Sequence, residues 1–266
     1  MLKIGKNCKI HPSVEINVKD GFIGGGSTIN AGVVIEGSLV EIGREAFIDR
    51  GSYIGGGSSF SNRAFLKAGD WLHMGINSHI NTAEGVVIGD ALGLGVNSKV
   101  FTHGAYLDSF NLGAPSQWAP VKIGNNVWLP NAWVNPGVTI GNNVVVSAHS
   151  LINRNLPSGV LAGGVPVKIL KENYFPRELS ESEKSSRIEV LIQQLLDRPD
   201  FNKKNEVTYS PSILKVIENK LETTFDLTNL TISGDTGIAS QIVKDQLRRH
   251  GIRFKYYISD GGWERW

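Results

Sequence analysis

Branched apolar residues recur at every sixth position through the first 170 residues of the chain. Ile4, Ile10 and Ile16 set the interval, and Ile23, Ile29 and Ile35, then Ile42, Ile48 and Ile54, repeat it. Phe60, Leu66 and Leu72 carry it on, followed by Met74, Ile80 and Val86, by Ile88, Leu94 and Val100, and finally by Ile140, Val146 and Ile152. An Ile-Gly pair falls in step with it at Ile4-Gly5, Ile23-Gly24, Ile42-Gly43, Ile54-Gly55, Ile88-Gly89, Ile123-Gly124 and Ile140-Gly141. Six is not a helical period, and no amphipathic 3.6 pattern survives here. The interval suits a short strand with one inward side chain, closed by a corner where Gly or Asn accepts unusual backbone angles. Each unit then forms one side of a coil, and stacked coils pair their backbone groups with the neighbours above and below. An ordinary sandwich with Gly-rich turns would not keep seven Ile-Gly pairs in register.

Past residue 170 the pattern changes to that of ordinary α/β structure. Ser180-x-x-Glu183 reads as a capping box ahead of a helix carrying Ile188, Leu191, Ile192 and Leu195. Ser210-Pro211 predicts the opening of a shorter helix with Ile213, Leu214 and Ile217, and Phe225 to Ile232 reads as one or two strands. Residues 236–250 predict a further helix with Ile238, Ile242, Val243 and Leu247 on one face and Gly251 beyond its end. Ile252, Phe254, Tyr256 and Ile258 then alternate as a strand. Composition sharpens the same division: 26 of the 31 glycines lie in residues 1–170, with 12 basic and 10 acidic side chains, against 15 of each in the shorter remainder. Two domains are expected, a coil of residues 1–172 and an α/β region of residues 173–266.

The run Ile123-Gly124-Asn125-Asn126-Val127-Trp128, continuing through Asn135-Pro136-Gly137-Val138-Thr139-Ile140-Gly141 to Leu156-Pro157 and Gly164-Val165-Pro166-Val167-Lys168, resembles the hexapeptide-repeat acyltransferases. The resemblance covers roughly residues 1–175. It implies a mainly β protein, a left-handed parallel β-helix with three sides per coil, assembled as a homotrimer with acetyl-CoA in the groove between neighbouring subunits. One departure is visible: Ile123 to Ile140 spans 17 residues instead of three full sixes, so one side of that coil is a residue short.

Between Val100 and Val121 the period fails, and residues 102–120 read as a loop ejected from a corner, the kind of segment on which a rigid scaffold places function. His103 stands at its base. In family members that this chain resembles, a His at the corresponding place takes the proton from the attacking acceptor. A neutral imidazole near pH 7 suits that task, and an activated thioester needs no nucleophilic Ser or Cys. The segment His79-Ile80-Asn81 is similar to the Asn-containing stretch with which sugar-modifying members touch the acceptor, which makes Asn81 and His79 candidate acceptor contacts. Asp108 is a candidate to orient His103 or meet the acceptor, with Glu84 a rival. Ser147-Ala148 corresponds to the small-residue step along which the pantetheine arm lies in similar proteins. Arg154 and Lys168, the only Lys or Arg between Lys122 and Lys171, are natural partners for CoA phosphates. Trp118 is a candidate lid over pantetheine or acceptor, and Trp128 is expected outside the corner or at a subunit contact. His149 stands where the family often has Gly, His11 reads as a corner residue, and His250 closes a helix.

A formal charge of +2 without a basic run argues against nucleic acid or an anionic membrane surface as partner. The single Cys8 excludes a disulfide framework or a Cys-based metal site. No stretch approaches 18 apolar residues, and Met1-Leu2-Lys3-Ile4-Gly5 lacks the apolar core of a signal peptide, so a cytoplasmic protein is the expectation. The leading reading is an acetyl-CoA-dependent acetyltransferase acting on an amino or hydroxyl group of a sugar, which the resemblance extends to nucleotide-linked sugars and surface polysaccharide. No metal is expected. Two alternatives stand beside it: a non-catalytic β-helix for assembly or binding, and a hydratase of the carbonic anhydrase type. The second would need three His converging on zinc, whereas His73 and His79, six apart, fall on different sides of a coil.

Overall fold

The computed structural model describes every residue, Met1–Trp266, as two compact units, Met1–Arg177 and Glu178–Trp266. The first unit is a parallel β-helix of three faces. On the first face Ile4 pairs in register with Ile23, Ile23 with Ile42, Ile42 with Ala68, Ala68 with Ile88, Ile88 with Ile123, and Ile123 with Ile140. The second face aligns Ile10, Ile29, Ile48, Met74, Leu94 and Leu129, and the third aligns Ile16, Ile35, Ile54, Ile80, Val100, Val134 and Ile152. From Ile23 onward these side chains are buried and fill one continuous apolar column.

The corners explain the Ile-Gly pairs. A Cβ at Gly43 would lie 2.5 Å from the carbonyl carbon and oxygen of Gly69 in the next coil, and one at Gly124 would lie 2.8 Å from those of Gly141. Successive backbones touch there, so only Gly fits. The residue after each such Gly completes the corner. The Arg44 N–H donates to Asp70 Oδ1, that of Asp70 to Asp90 Oδ1, that of Asp90 to Asn125 Oδ1, that of Asn125 to Asn142 Oδ1, and that of Asn142 to Ser158 Oγ, all within 2.7–2.9 Å. Each coil thus caps an amide that the tight turn of its neighbour would leave without a partner. The opposite corner is turned by Asn77, Asn97, Asn131 and His149, with φ between 49° and 60°. His149 is therefore a left-handed corner residue, where Asn-like tolerance of positive φ is at a premium.

Two departures from the six-residue interval are local. Phe60 does not enter the core; it is 38% exposed, because residues 56–64 leave the coil between Ile54 and Leu66 and the wall resumes at Leu66 and Ala68. The short side of the later coil lies between Leu129 and Val134, where Pro130-Asn131 makes a tighter corner. Val134 stays in the column and Trp133 points outward, stacked on Phe101 at 4.8 Å. Residues 56–64 and the loop after Val100 leave from the same corner, that between the third and first faces. At the last coil the chain reverses, and Lys168–Lys171 runs antiparallel along Leu161–Gly163.

In the second unit, strands Glu206–Tyr209, Ile213–Glu218, Leu221–Asp226 and Thr231–Gly234 form an antiparallel meander. Helices α1 (Glu181–Leu196) and α2 (Ile238–Arg249) share one core with it, built on Leu191, Leu195, Leu214, Phe225, Val243 and Leu247. The Ser180/Glu183 capping box opens α1. The helix expected after Ser210-Pro211 is a strand instead. Leu214 and Val216 bury alternate positions, β-branched Ile213, Val216 and Ile217 favour extension, and Ser210 Oγ closes a turn onto the Ile213 N–H at 3.1 Å. The strand expected from Ile252 is confined to Tyr256–Ser259, paired with Gly262–Arg265.

The corner contact has a direct test. Gly43→Ala should cost about 2 kcal/mol or more through backbone overlap, whereas Gly57→Ala, whose Cβ would meet nothing within 4 Å, should change stability by less than about 0.5 kcal/mol. Urea midpoints at constant m-value measure both; equal midpoints for the two variants would refute the account of the corners.

Candidate active site

The ejected loop is pinned at its base by two residues on each strand. His103–Gly104 pairs antiparallel with Gln117–Trp118, and the Trp118 indole stacks on the His103 ring with centroids 4.6 Å apart and planes 16° from parallel. Beyond this clasp the loop is exposed, including Tyr106, Leu107, Phe110 and Leu112. His103 is half-buried, so its place is set by the coil and not by the free part of the loop.

The contact that sets it comes from Asn81, one coil earlier at the same corner. His103 Nδ1 lies 3.0 Å from Asn81 Oδ1, and that oxygen also accepts from Thr102 Oγ1 at 2.7 Å. Thr102 Oγ1 in turn accepts from the Glu84 N–H at 3.1 Å. The Asn81 Nδ2 group donates to the Gly55 carbonyl, a further coil away, at 3.3 Å. Asn81 is 1% exposed, and its amide oxygen is committed to the Thr102 hydroxyl and the His103 ring. Expected as an acceptor contact, Asn81 is buried against the His103 ring instead, with its amide turned into the coil.

Asp108 does not orient His103. Its carboxylate is turned into its own loop, accepting from the Phe110 and Asn111 N–H groups and from Asn111 Nδ2 at 2.7–2.9 Å, and these hydrogen bonds lower its pKa. Glu84, nearly buried, is paired with Arg63 Nη2 at 2.8 Å. His79 lies between rings, stacked on Tyr53 at 4.8 Å and edge-on to Phe101 at 5.3 Å. Burial pushes its imidazole below the ordinary histidine pKa, and its Nε2 is buried, so that nitrogen does not face an acceptor. Tyr53 donates its hydroxyl to Glu36 Oε1, which also accepts from the Gly56 N–H at 3.4 Å. His73 pairs in register with Phe47 and Gly93 on the second face, while His79 pairs with Tyr53 and Lys99 on the third, so the two imidazoles do not converge as a three-His metal site requires.

Of the residues assigned to CoA, Ser147 and Lys168 lie at one edge. Lys168 is opposite Gly163 in the reversed strand, and a Cβ on Gly163 would come within 2.8 Å of Ser147 Cβ. Ala148 is exposed beside Ser147 at the corner, whereas Arg154 is exposed in the bend after Ile152, on the following corner. Trp118 is 43% exposed and spends one face on His103. Trp128 lies on the outer surface over Gly93, whose Cβ would strike the indole at 2.5 Å. Sequence reasoning passed over Thr102 and Gly55. The signal was present: Asn81 follows Ile80, and Thr102-His103 follow Val100 by two and three residues, so the interval stacks them at one corner.

Residues 120–154 match the family model described as bacterial transferase hexapeptide (six repeats). Galactoside O-acetyltransferase of Escherichia coli (strain K12) is 46% identical over 54 residues, 20% of this chain and 27% of that protein. The provisionally named lipopolysaccharide biosynthesis O-acetyl transferase WbbJ of the same strain is 38% identical over 117 residues, 39% of this chain and 58% of its own length. The chain thus spans less than two thirds of these curated relatives. A solved galactoside acetyltransferase in complex with coenzyme A aligns with 28% identity and a TM-score of 0.44, over 53% of this chain and 72% of that one.

The Tyr53 pair generates a pH prediction. Burial, then the Glu36 carboxylate, push the phenol up to about 12 from its ordinary 10. The folded chain keeps a proton that the unfolded chain loses, so this contribution is complete below pH 10 and disappears as pH rises toward 12. Denaturation midpoints should fall more steeply across that window for the native chain than for Tyr53→Phe; parallel curves would contradict the shift.

Proposed function

We propose, from the similarity of this chain to hexapeptide-repeat acetyltransferases, that it transfers an acetyl group from acetyl-CoA to a hydroxyl or amino group of a sugar, with His103 as general base. The observation that carries the reading is the fixed imidazole at the base of the ejected loop, held by Asn81 and backed by Trp118. A base in a set position is what direct transfer from a thioester requires, because the acyl group is already activated and the remaining task is to bring acceptor and proton acceptor together.

The acceptor oxygen or nitrogen attacks the thioester carbonyl carbon while its proton passes to the His103 imidazole. The C–S bond then breaks, and the proton held on the imidazolium goes to the departing thiolate, so coenzyme A leaves as the free thiol and the ring returns to neutral. Ser147 and Lys168, exposed together at the last coils, are suited to the pantetheine arm and a phosphate, with Arg154 on the next corner as a second cation. Trp118, stacked on His103, is suited to cover the reacting groups.

A carbohydrate acceptor is supported by the names of the two relatives, one acting on galactosides and one named for lipopolysaccharide biosynthesis. A nucleotide-linked sugar, a role in surface polysaccharide, a homotrimer with sites between subunits and a cytoplasmic location complete the reading. Release of free thiol from acetyl-CoA, followed against a panel of sugars, amino sugars and nucleotide-linked sugars, tests it. His103→Ala should lower the rate by about 10²–10⁴-fold. A variant within tenfold of the native rate, at native stability, would remove His103 from the role of base.

A further inference from the structure

The amide of Asn81 has only one orientation open to it, and that orientation reaches the chemistry of His103. The Gly55 carbonyl can only accept, so the atom facing it at 3.3 Å is the NH₂ group. The Ala83 N–H can only donate, and it faces the other end of the amide at 3.4 Å, which must be the oxygen. Thr102 is consistent with this: its Oγ1 accepts from the Glu84 N–H, and its own proton lies closer to Asn81 Oδ1, at 2.7 Å, than to the Asn81 main-chain carbonyl, at 3.3 Å. Backbone groups of two coils therefore settle the amide without reference to the histidine. An oxygen then stands 3.0 Å from His103 Nδ1, so that nitrogen must carry the proton.

We infer that Asn81 is a positioning residue which locks His103 in its Nδ1–H tautomer and leaves Nε2 as the nitrogen that accepts the acceptor's proton. This rests on the proposed role of His103 as base. The geometry distinguishes the arrangement from one with a carboxylate behind the imidazole: Asn81 supplies direction without charge, so the imidazolium gains no ion pair from it. The charged or titratable groups around the ring are His79 on the preceding coil and the Glu84–Arg63 pair, whose Glu84 N–H meets Thr102. All three are left unchanged by the variants below.

Long-range proton–nitrogen NMR of the full-length chain, with labelled histidine, reads the tautomer without turnover. The native chain at neutral-ring pH should show His103 Nδ1 as the protonated nitrogen. Asn81→Ala should release the ring to a mixture of tautomers and lower kcat by about five- to tenfold with KM unchanged. Asn81→Asp should raise the pH at which His103 titrates, and the acidic limb of the rate profile with it, by about one unit or more. Thr102→Val, which removes the hydroxyl proton from Oδ1, should behave as a weaker Asn81→Ala, and Thr102→Ser should restore the native spectrum. A native His103 protonated on Nε2 overturns the inference, as does a folded Asn81→Ala chain with native tautomer and native kcat. If an Asn81 variant does not fold, the native spectrum and the Thr102 pair decide. His103→Ala run beside them separates the two readings: full activity there sinks the base assignment, and the spectrum still reports whether Asn81 sets the tautomer.

Discussion

The structure depends on coil-to-coil backbone pairing in a chain that turns three corners per coil. Every N–H and C=O along the faces is committed to a neighbour above or below, so each corner must close within the spacing of adjacent strands, about 4.8 Å. Side chains at the corners would prevent that. Gly43 and Gly124 show the constraint directly, with the next coil's backbone inside the volume of a Cβ. The left-handed Asn residues and the chain of Asp and Asn oxygens over successive amides follow from the same requirement. The apolar column is its inner consequence, since the pitch that pairs the backbones also brings Ile over Ile.

That regularity is what gives the site its precision. Gly55, Asn81 and His103 are distant in sequence and adjacent in space, each one coil from the next at the same corner. The loop that carries His103 onward is exposed and long, and a base placed further along it would be free to wander. By standing three residues past the last paired position of its strand instead, His103 inherits the rigidity of the coil. The excursion of residues 56–64 leaves from this corner as well, so Arg63 reaches Glu84 beside the same network. Both long excursions are collected at one edge, and the other corners depart only at the shortened turn of Pro130-Asn131.

Much of the coil was legible because its period is short and its constraint repeats: inward Ile and Val, Gly after them, Asn at the turns. Where the reading failed, the cause was local. Phe60 lies in phase with the period and outside the core, because phase cannot reveal that the chain has left the wall over residues 56–64 and returned at Leu66. The segment after Ser210-Pro211 carries a helix start signal, but its β-branched residues and two flanking strands override it. Within the site, the position of His103 was readable from the break in the period. The function of Asn81 was not, because a resemblance to acceptor-binding segments says nothing about burial, and burial decides that its amide turns inward. Asp108 was chosen for its charge and its nearness in sequence; the Phe110 and Asn111 amides, nearer still, took it.

The reversal of the chain at Lys168–Lys171 bears on how a stack of coils comes to an end. A stack of parallel coils is a sheet that could be prolonged without limit, and its final strand offers open backbone groups to any other extended chain. Here the second face does not stop on an open parallel edge. Leu161–Gly163 is covered by a strand of the opposite direction, whose ends carry Lys168 and Lys171. A further coil in the same sense would find its template facing the wrong way and flanked by charge, so this end terminates the stack instead of seeding a fibre.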